Sequence, residues 1–256
     1  MPILRRNGRP PRTAEQELGI RTRRAFLTLG LGAAAGYGTW RWLQTRPLDG
    51  SLPEPFRRML RFNERLERGL FSERRLAARF PDTRVQPIRT NGLVGISSES
   101  SEYDTSEWQL NLNEVSRAVN RVSLDEIKAL PKIEQTTELN CIEGWSNVIH
   151  WTGARFSDFC VKFAPDAMHM AYVSLETPGQ EYYVGIDMAS ALHPQTLLCY
   201  EMNRAPLSLE NGAPLRLVIP SKYGIKNIKR IGTITYTDQR PPDYWAEQGY
   251  DWYAGL

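Results

Sequence analysis

Residues 137–148 read Thr137-Glu138-Leu139-Asn140-Cys141-Ile142-Glu143-Gly144-Trp145-Ser146-Asn147-Val148, a run that ends a strand and bends through small and polar residues with one cysteine at the bend. A soft thiolate in such a place suits molybdenum or another thiophilic metal. Ile133 to Ile142 is predicted as the strand that delivers Cys141. Working outward, Glu107 to Asn113 alternates, with Trp108, Leu110 and Leu112 on one face and Gln109, Asn111 and Asn113 on the other. Ser123-Leu124-Asp125-Glu126 is a capping box for a short helix that Pro131 closes, and Ser157 is predicted to cap another through Phe163. Further strands are predicted at His169 to Thr177, Glu181 to Asp187, Thr196 to Asn203, Pro214 to Ile219 and Ile228 to Thr237, separated by Gly, Pro and Asn. Seven or so strands with few helices predict a mixed α+β or mostly β domain.

The first third of the chain has another texture. Met1 to Thr90 holds 19 Arg, no Lys and 8 acids, a balance of +11, whereas the remainder balances at −8. Such a split points the first third toward an anionic surface. No Lys/Arg run with interleaved aromatics occurs in the globular part, which argues against nucleic acid. Thr22-Arg23-Arg24-Ala25-Phe26-Leu27, followed by an uncharged stretch to Trp40, is a twin-arginine pattern of the kind that exports folded proteins. Gly30, Gly32, Gly36 and Gly38 fit an ordinary buried helix poorly, since each glycine costs roughly 1 kcal/mol against alanine. From Pro53 to Phe80 one or two helices are predicted, with Phe56, Met59, Leu60, Leu66, Leu70 and Leu76 among arginines and glutamates. That segment reads as a membrane-surface helix, a docking helix, or an extension packed on the main domain.

Three cysteines are too few for a disulfide scaffold, and three histidines too scattered for a zinc cage. Cys160 and Cys199 lie in apolar surroundings and read as buried thiols. His150 follows Cys141 by nine residues and could return to the same site. Asn211 to Lys229 places Arg216, Lys222, Lys226 and Lys229 around a Gly-containing loop, which reads either as a phosphate-holding cluster or as a solvated basic loop.

The two segments together resemble the sulfite oxidase superfamily of molybdopterin-dependent oxidoreductases, and within it the periplasmic methionine-sulfoxide reductase branch. The likeness rests on Cys141, Glu143, Trp145 and Ser146 in a Cys-x-Glu-x-Trp-Ser pattern, on Tyr172 to Thr177, and on the Asn-Gly-Ala-Pro-x-Arg-Leu-Val-x-Pro segment from Asn211. It covers about two thirds of the chain, from roughly Pro87 to the aromatic tail. The resemblance implies an α+β, sulfite-oxidase-type molybdopterin-binding fold with mixed β-sheets, preceded here by a helical N-terminal extension. It implies Cys141 as the protein ligand of molybdenum, Thr177, Asn211 and Arg216 as contacts of the pterin, and Asn227, Ile228 and Lys229 as contacts of its phosphate end. Asn91 matches a further cofactor contact, although the Tyr-Glu pair that follows it in the family is absent. Arg204 stands where relatives carry Gly after Met-Asn, so a different turn is expected there.

The expected division is a twin-arginine-type signal or membrane anchor over residues 1–45, a basic helical extension over 46–85 and a catalytic domain over 86–256. The expected activity is oxygen-atom transfer, with reduction of small-molecule or protein-bound sulfoxides, or of N-oxides, placed first. Glu143 is the candidate for proton handling beside the metal. The chain has no Cys-x-x-Cys-His haem motif, so a separate redox partner is expected, a haem-bearing membrane subunit being the natural choice. The expected location is the periplasm or cell envelope, with the leader either cleaved or kept as an anchor. The alternatives are sulfite-type oxidation using Arg155 or Arg204, a non-catalytic membrane-tethered binding module, and a thiol hydrolase built on Cys141 and His150.

Overall fold

The computed structural model describes residues 13–87, 89, 103–114 and 117–256. The chain divides into two units, residues 1–49 with 53–55, and residues 50–52 with 56–256. In the first unit, helix α1 (Ala14–Gln44) opens on a capping box between Thr13 and Gln16 and is exposed along nearly all of its described length. No described helix is long and apolar enough to cross a membrane. Two-residue strands β1 (Leu48–Asp49) and β2 (Leu52–Pro53) precede helix α2 (Glu54–Leu70). Of the one or two helices predicted from Pro53 to Phe80, one forms, and it stops at Leu70. From Phe71 the backbone is held instead by non-helical bonds: the Gln195 side chain pairs with both backbone groups of Ala77, and Phe80 N–H donates to the Thr136 carbonyl.

The second unit holds two five-stranded sheets. One runs β4 (Arg117–Ser123), β3 (Gln109–Glu114), β12 (Thr233–Thr237), β7 (Tyr172–Glu176), β8 (Tyr183–Asp187), with only the β3–β12 pairing parallel. The other runs β10 (Ala205–Pro206), β9 (Leu197–Met202), β6 (Ser146–Arg155), β5 (Lys132–Asn140), and β11 (Arg216–Val218) also pairs with β9. This is the expected α+β fold with mixed sheets. The principal core joins Leu112 of β3, Val173 of β7 and Ile234 of β12 to Leu198 of β9 and to Phe156 and Phe159 of helix α4 (Phe156–Phe163). A second core of Leu139, Ile149, Trp151, Cys199 and Val218 covers the other face of the second sheet. Strand β6 is consequently buried on both faces over eight consecutive residues, so it shows no apolar–polar alternation.

Other expectations are adjusted locally. The Ser123–Glu126 capping box is present, and helix α3 (Leu124–Lys128) follows it. Ser157 does not cap α4: the helix starts at Phe156, two residues before a Ser157 cap would begin it, and Phe156 N–H donates to the Thr196 carbonyl. His169 ends a 3-10 turn (Pro165–His169) rather than starting a strand, β7 begins at Tyr172, and β12 begins at Thr233, not Ile228. Short helices α5 (Met188–Ala191) and α6 (Tyr244–Glu247) complete the chain. At Asn203 and Arg204, φ is 52° and 62°, the two-residue turn that closes β9 on β10. Arg204 thus takes a left-handed backbone that glycine adopts more readily, and the arginine is tied to Asp82 by an ion pair.

Candidate functional site

The β5–β6 hairpin closes through the three residues Ile142, Glu143 and Gly144. Cys141 N–H donates to the Trp145 carbonyl at 2.9 Å, Gly144 N–H donates to the Cys141 carbonyl at 3.1 Å, and Gly144 takes φ +84°. A turn followed by a left-handed glycine is a common way to close a hairpin of this length. It fixes the cysteine at the first position past a nine-residue ladder, with the residue only 6% exposed. At the rim, the Glu143 carboxylate accepts the Trp145 indole N–H at 2.7 Å, and the Arg89 guanidinium lies 4.5 Å from the Trp145 ring centre.

Cys141 opens on a cavity of about 310 Å³ whose wall also includes Glu143, Arg216, Asn227 and Lys229. Arg216 rises from β11 and is buried; its Nη1 donates to the Asn211 carbonyl at 3.1 Å and its Nη2 to the Asn227 carbonyl at 3.3 Å. Its Nε is buried and has no partner among the described residues. Burial pushes the Arg216 guanidinium down to about 10. Burial first, then the Arg216 charge, bring the Lys229 ammonium down to about 8. The loop between them is shaped by its own chain. Asn227 Oδ1 accepts the Ile219 N–H at 2.8 Å, and its Nδ2 donates to the Tyr223 carbonyl at 3.1 Å. Gly212 takes φ +98°, where a Cβ would fall 2.7 Å from that of Lys229. The glycine lets the two segments close on each other.

Three further predicted contacts stand behind the wall. Asn211 is held through its side chain by Ser208 and reaches the cavity only through the carbonyl that positions Arg216. Ile228 is a core side chain whose carbonyl accepts the Leu217 N–H. Thr177 is buried, with its hydroxyl against both backbone groups of Tyr182, and Tyr182 in turn lines the cavity. Asn91 lies outside the described residues.

The basic cluster splits. Arg216 and Lys229 face the cavity, whereas Lys226 is buried against the Gly185 carbonyl (2.9 Å) and the Asp243 carboxylate (2.5 Å). Lys222 sits 3.7 Å from Asp187 and over the Tyr253 ring. His150 does not return to Cys141: its Nδ1 meets Thr136 Oγ1 at 3.0 Å and Asp82 Oδ1 at 3.3 Å, because on β6 it pairs with Thr136. Arg155 and Arg204 do not line the cavity. Cys160 and Cys199 are free, and burial pushes both thiols up to about 12.

Sequence reasoning missed Tyr182, Trp245 and Tyr250, which wall the same cavity. The density of aromatics from Tyr244 to Tyr253 was the available signal. A larger cavity of about 490 Å³ borders Phe71 to Phe80 and the C-terminal residues, but it holds neither Cys141 nor the two cations. Among the described residues no group of three His, Cys, Asp or Glu could hold a metal ion. A metal at Cys141 would take its remaining donors from a ligand.

Residues 97–245 match the family described as the oxidoreductase molybdopterin binding domain. The chain is 34% identical over 208 residues to a putative protein-methionine-sulfoxide reductase subunit, YedZ1, of Azospira oryzae, covering 81% of this chain and 78% of that one. It is 36% identical over 165 residues to the protein-methionine-sulfoxide reductase catalytic subunit MsrP of Xanthomonas campestris, covering 59% and 51%. It thus spans about half the length of that MsrP. Among solved structures, the sulfane dehydrogenase SoxCD of Paracoccus pantotrophus matches with a TM-score of 0.48 and 15% identity, over 54% of this chain and 40% of that one.

Proposed function

The chain belongs to the oxidoreductase molybdopterin binding domain family, and from that premise we propose that it reduces sulfoxides, with methionine sulfoxide in proteins as the first candidate substrate. The observation that carries this reading is the cavity that joins the Cys141 thiol to two buried cations. Those residues fit a pterin dithiolene that carries molybdenum. A lone soft sulfur is available to the metal, and the unpartnered Nε of Arg216 with the Lys229 ammonium suits a phosphate-bearing anion. When bound, that group supplies the two-electron chemistry by which an oxygen atom leaves a sulfoxide.

The chain's own residues do the rest. Cys141 gives its thiolate from a rigid turn, so its position follows the sheet rather than a loop. Arg216, pinned by two carbonyls, holds the cofactor's anionic end, and Lys229 adds a charge that depends on pH. Glu143, oriented by the Trp145 indole, carries a proton at its free oxygen toward the oxygen that departs as water. Tyr182, Trp245 and Tyr250 narrow the cavity.

The electrons come from a separate partner, a haem-bearing membrane subunit, and the relatives' names, which include the word subunit, support an assembly. Export by the twin-arginine route to the periplasm or envelope suits a protein that takes up its cofactor before translocation. Sulfite oxidation is less well supported, since Arg204 is engaged by Asp82 and Arg155 stands off the cavity. Protein produced with its cofactor pathway intact is assayed for molybdenum, for reduced-dye oxidation by sulfoxides and N-oxides, and for dye reduction by sulfite. Near-stoichiometric metal with sulfoxide turnover is expected. Metal-free protein would return the binding-module reading, and turnover with sulfite alone would replace the substrate class.

A further inference from the structure

Helix α2 (Glu54–Leu70) is built inside out. The side that packs against the rest of its own unit is mostly polar: Arg57 donates to the Ala246 carbonyl at 2.9 Å, buried Glu64 bridges Arg68 (3.0 Å) and Arg240 (2.8 Å), and Glu67 accepts the Gly255 N–H at 3.0 Å. Arg68 lies within 6 Å of the ring centres of Tyr172, Trp252 and Tyr253. The apolar residues point the other way. Met59, Phe62, Leu66 and Leu70, spaced three, four and four apart, are 60%, 47%, 52% and 70% exposed, and Phe56 borders them at 48%. A surface helix ordinarily buries such a stripe. Here ion pairs and stacking hold the helix in place and leave the stripe outward.

The flank of the stripe decides what covers it. Arg58, Arg61 and Arg65 are exposed along one edge, and both carboxylates of the helix interior, Glu64 and Glu67, are turned inward. The outward face therefore carries three arginines and the apolar side chains, with Glu54 of the first turn as a carboxylate near the arginine edge, and its balance is positive. We propose that this face rests on an anionic phospholipid surface, with the stripe at the boundary of headgroups and acyl chains and the arginines on the phosphates. An excess of arginine beside an apolar stripe that exposed Asn63 alone interrupts favours an anionic lipid surface over a protein partner. The inference does not depend on the redox chemistry of the cavity, so either can fail alone.

The test uses the full chain with Met59→Cys carrying an environment-sensitive fluorophore, and the identically treated parent reports any labelling of the three native, buried cysteines. Vesicles are phosphatidylcholine alone or mixed with phosphatidylglycerol. The expected result is a blue shift with the anionic vesicles, a partition coefficient roughly tenfold or more above that for phosphatidylcholine, and weakening at high salt. Adding Phe62→Ser and Leu66→Ser should cut anionic partition by roughly tenfold. Replacing Arg58, Arg61 and Arg65 with Gln should remove the preference between the two vesicle types. A label that stays silent while the protein floats with the vesicles would overturn the proposal, because another segment would then hold the membrane. An equal response to both vesicle types, or no loss in the serine variant, would also overturn it. Silence with no flotation would leave the stripe to a protein partner.

Discussion

A single sulfur separates the readings of this chain, and its neighbours make the distinction measurable. Cys141→Ser removes a soft donor while the hairpin bonds from Cys141 N–H to the Trp145 carbonyl and from Gly144 N–H to the Cys141 carbonyl are main-chain, so the variant should fold like the parent and retain little or no sulfoxide turnover. Unchanged turnover in that variant would remove the thiolate from the mechanism. Arg216→Ala should lower pterin content more than it lowers the melting temperature, because the guanidinium that meets the anion is lost along with only two hydrogen bonds to carbonyls. Equal pterin in mutant and parent would show that the anion is held elsewhere. Lys229 gives a pH signature: with its ammonium at about 8, affinity for a phosphate-bearing ligand should fall as pH rises through that value, and Lys229→Gln should flatten the profile. Cys141, Arg216 and Lys229 were legible because soft or charged side chains advertise their chemistry. Tyr182, Trp245 and Tyr250 were not, since an aromatic residue reads as core until the fold shows which cavity it borders.

At the level of elements, the hairpin and the sheet it belongs to differ in how they tolerate change. Gly144 has φ +84° with no described atom within 4 Å of a built Cβ, so Gly144→Ala should cost only the left-handed backbone penalty, about 1–2 kcal/mol. Gly153, where the β6–β9 register shifts, is another matter. Its Cβ would fall 2.2 Å from the Leu198 carbonyl oxygen, so Gly153→Ala should destabilise by roughly 3 kcal/mol or more through strain that the sheet cannot relieve. Denaturant midpoints for the two variants check the order. Strands whose outer face meets solvent were visible as alternation, as with Trp108, Leu110 and Leu112 in and before β3. Strand β6 went unread because apolar cores meet it from both sides and erase that period. Helix boundaries slipped for a related reason: the stop at Leu70 and the start at Phe156 are set by bonds to Gln195, Thr136 and Thr196, which are distant in sequence.

Across the whole molecule, buried basic groups shape stability against pH. Lys222 is brought down to about 7 and Lys229 to about 8, chiefly by burial, so above neutrality the folded chain binds fewer protons than the unfolded one. Stability should therefore climb between about pH 7 and 9, on the order of 2 kcal/mol. Above an ordinary thiol value of 9.0 the rise should level off, because Cys160 and Cys199 keep their protons to about 12 in the folded state and release them sooner when unfolded, and above the ordinary lysine value of 10.5, where the lysine contribution ends, stability should fall. Urea midpoints across that range test both arms, and a flat profile would mean that the lysines are solvated. The α+β class and the order of most strands could be read from the sequence, whereas the pairing of β3 with β12 could not, since it joins segments more than a hundred residues apart. The cavity is assembled the same way, from Leu139 at one end of its wall to Tyr250 at the other. During translation Cys141 emerges about a hundred residues ahead of the aromatics that close over it. A nascent chain thus presents a solvent-facing nucleophile with nothing to shelter it, and a prosthetic group meets the whole wall only once Tyr250 has left the ribosome.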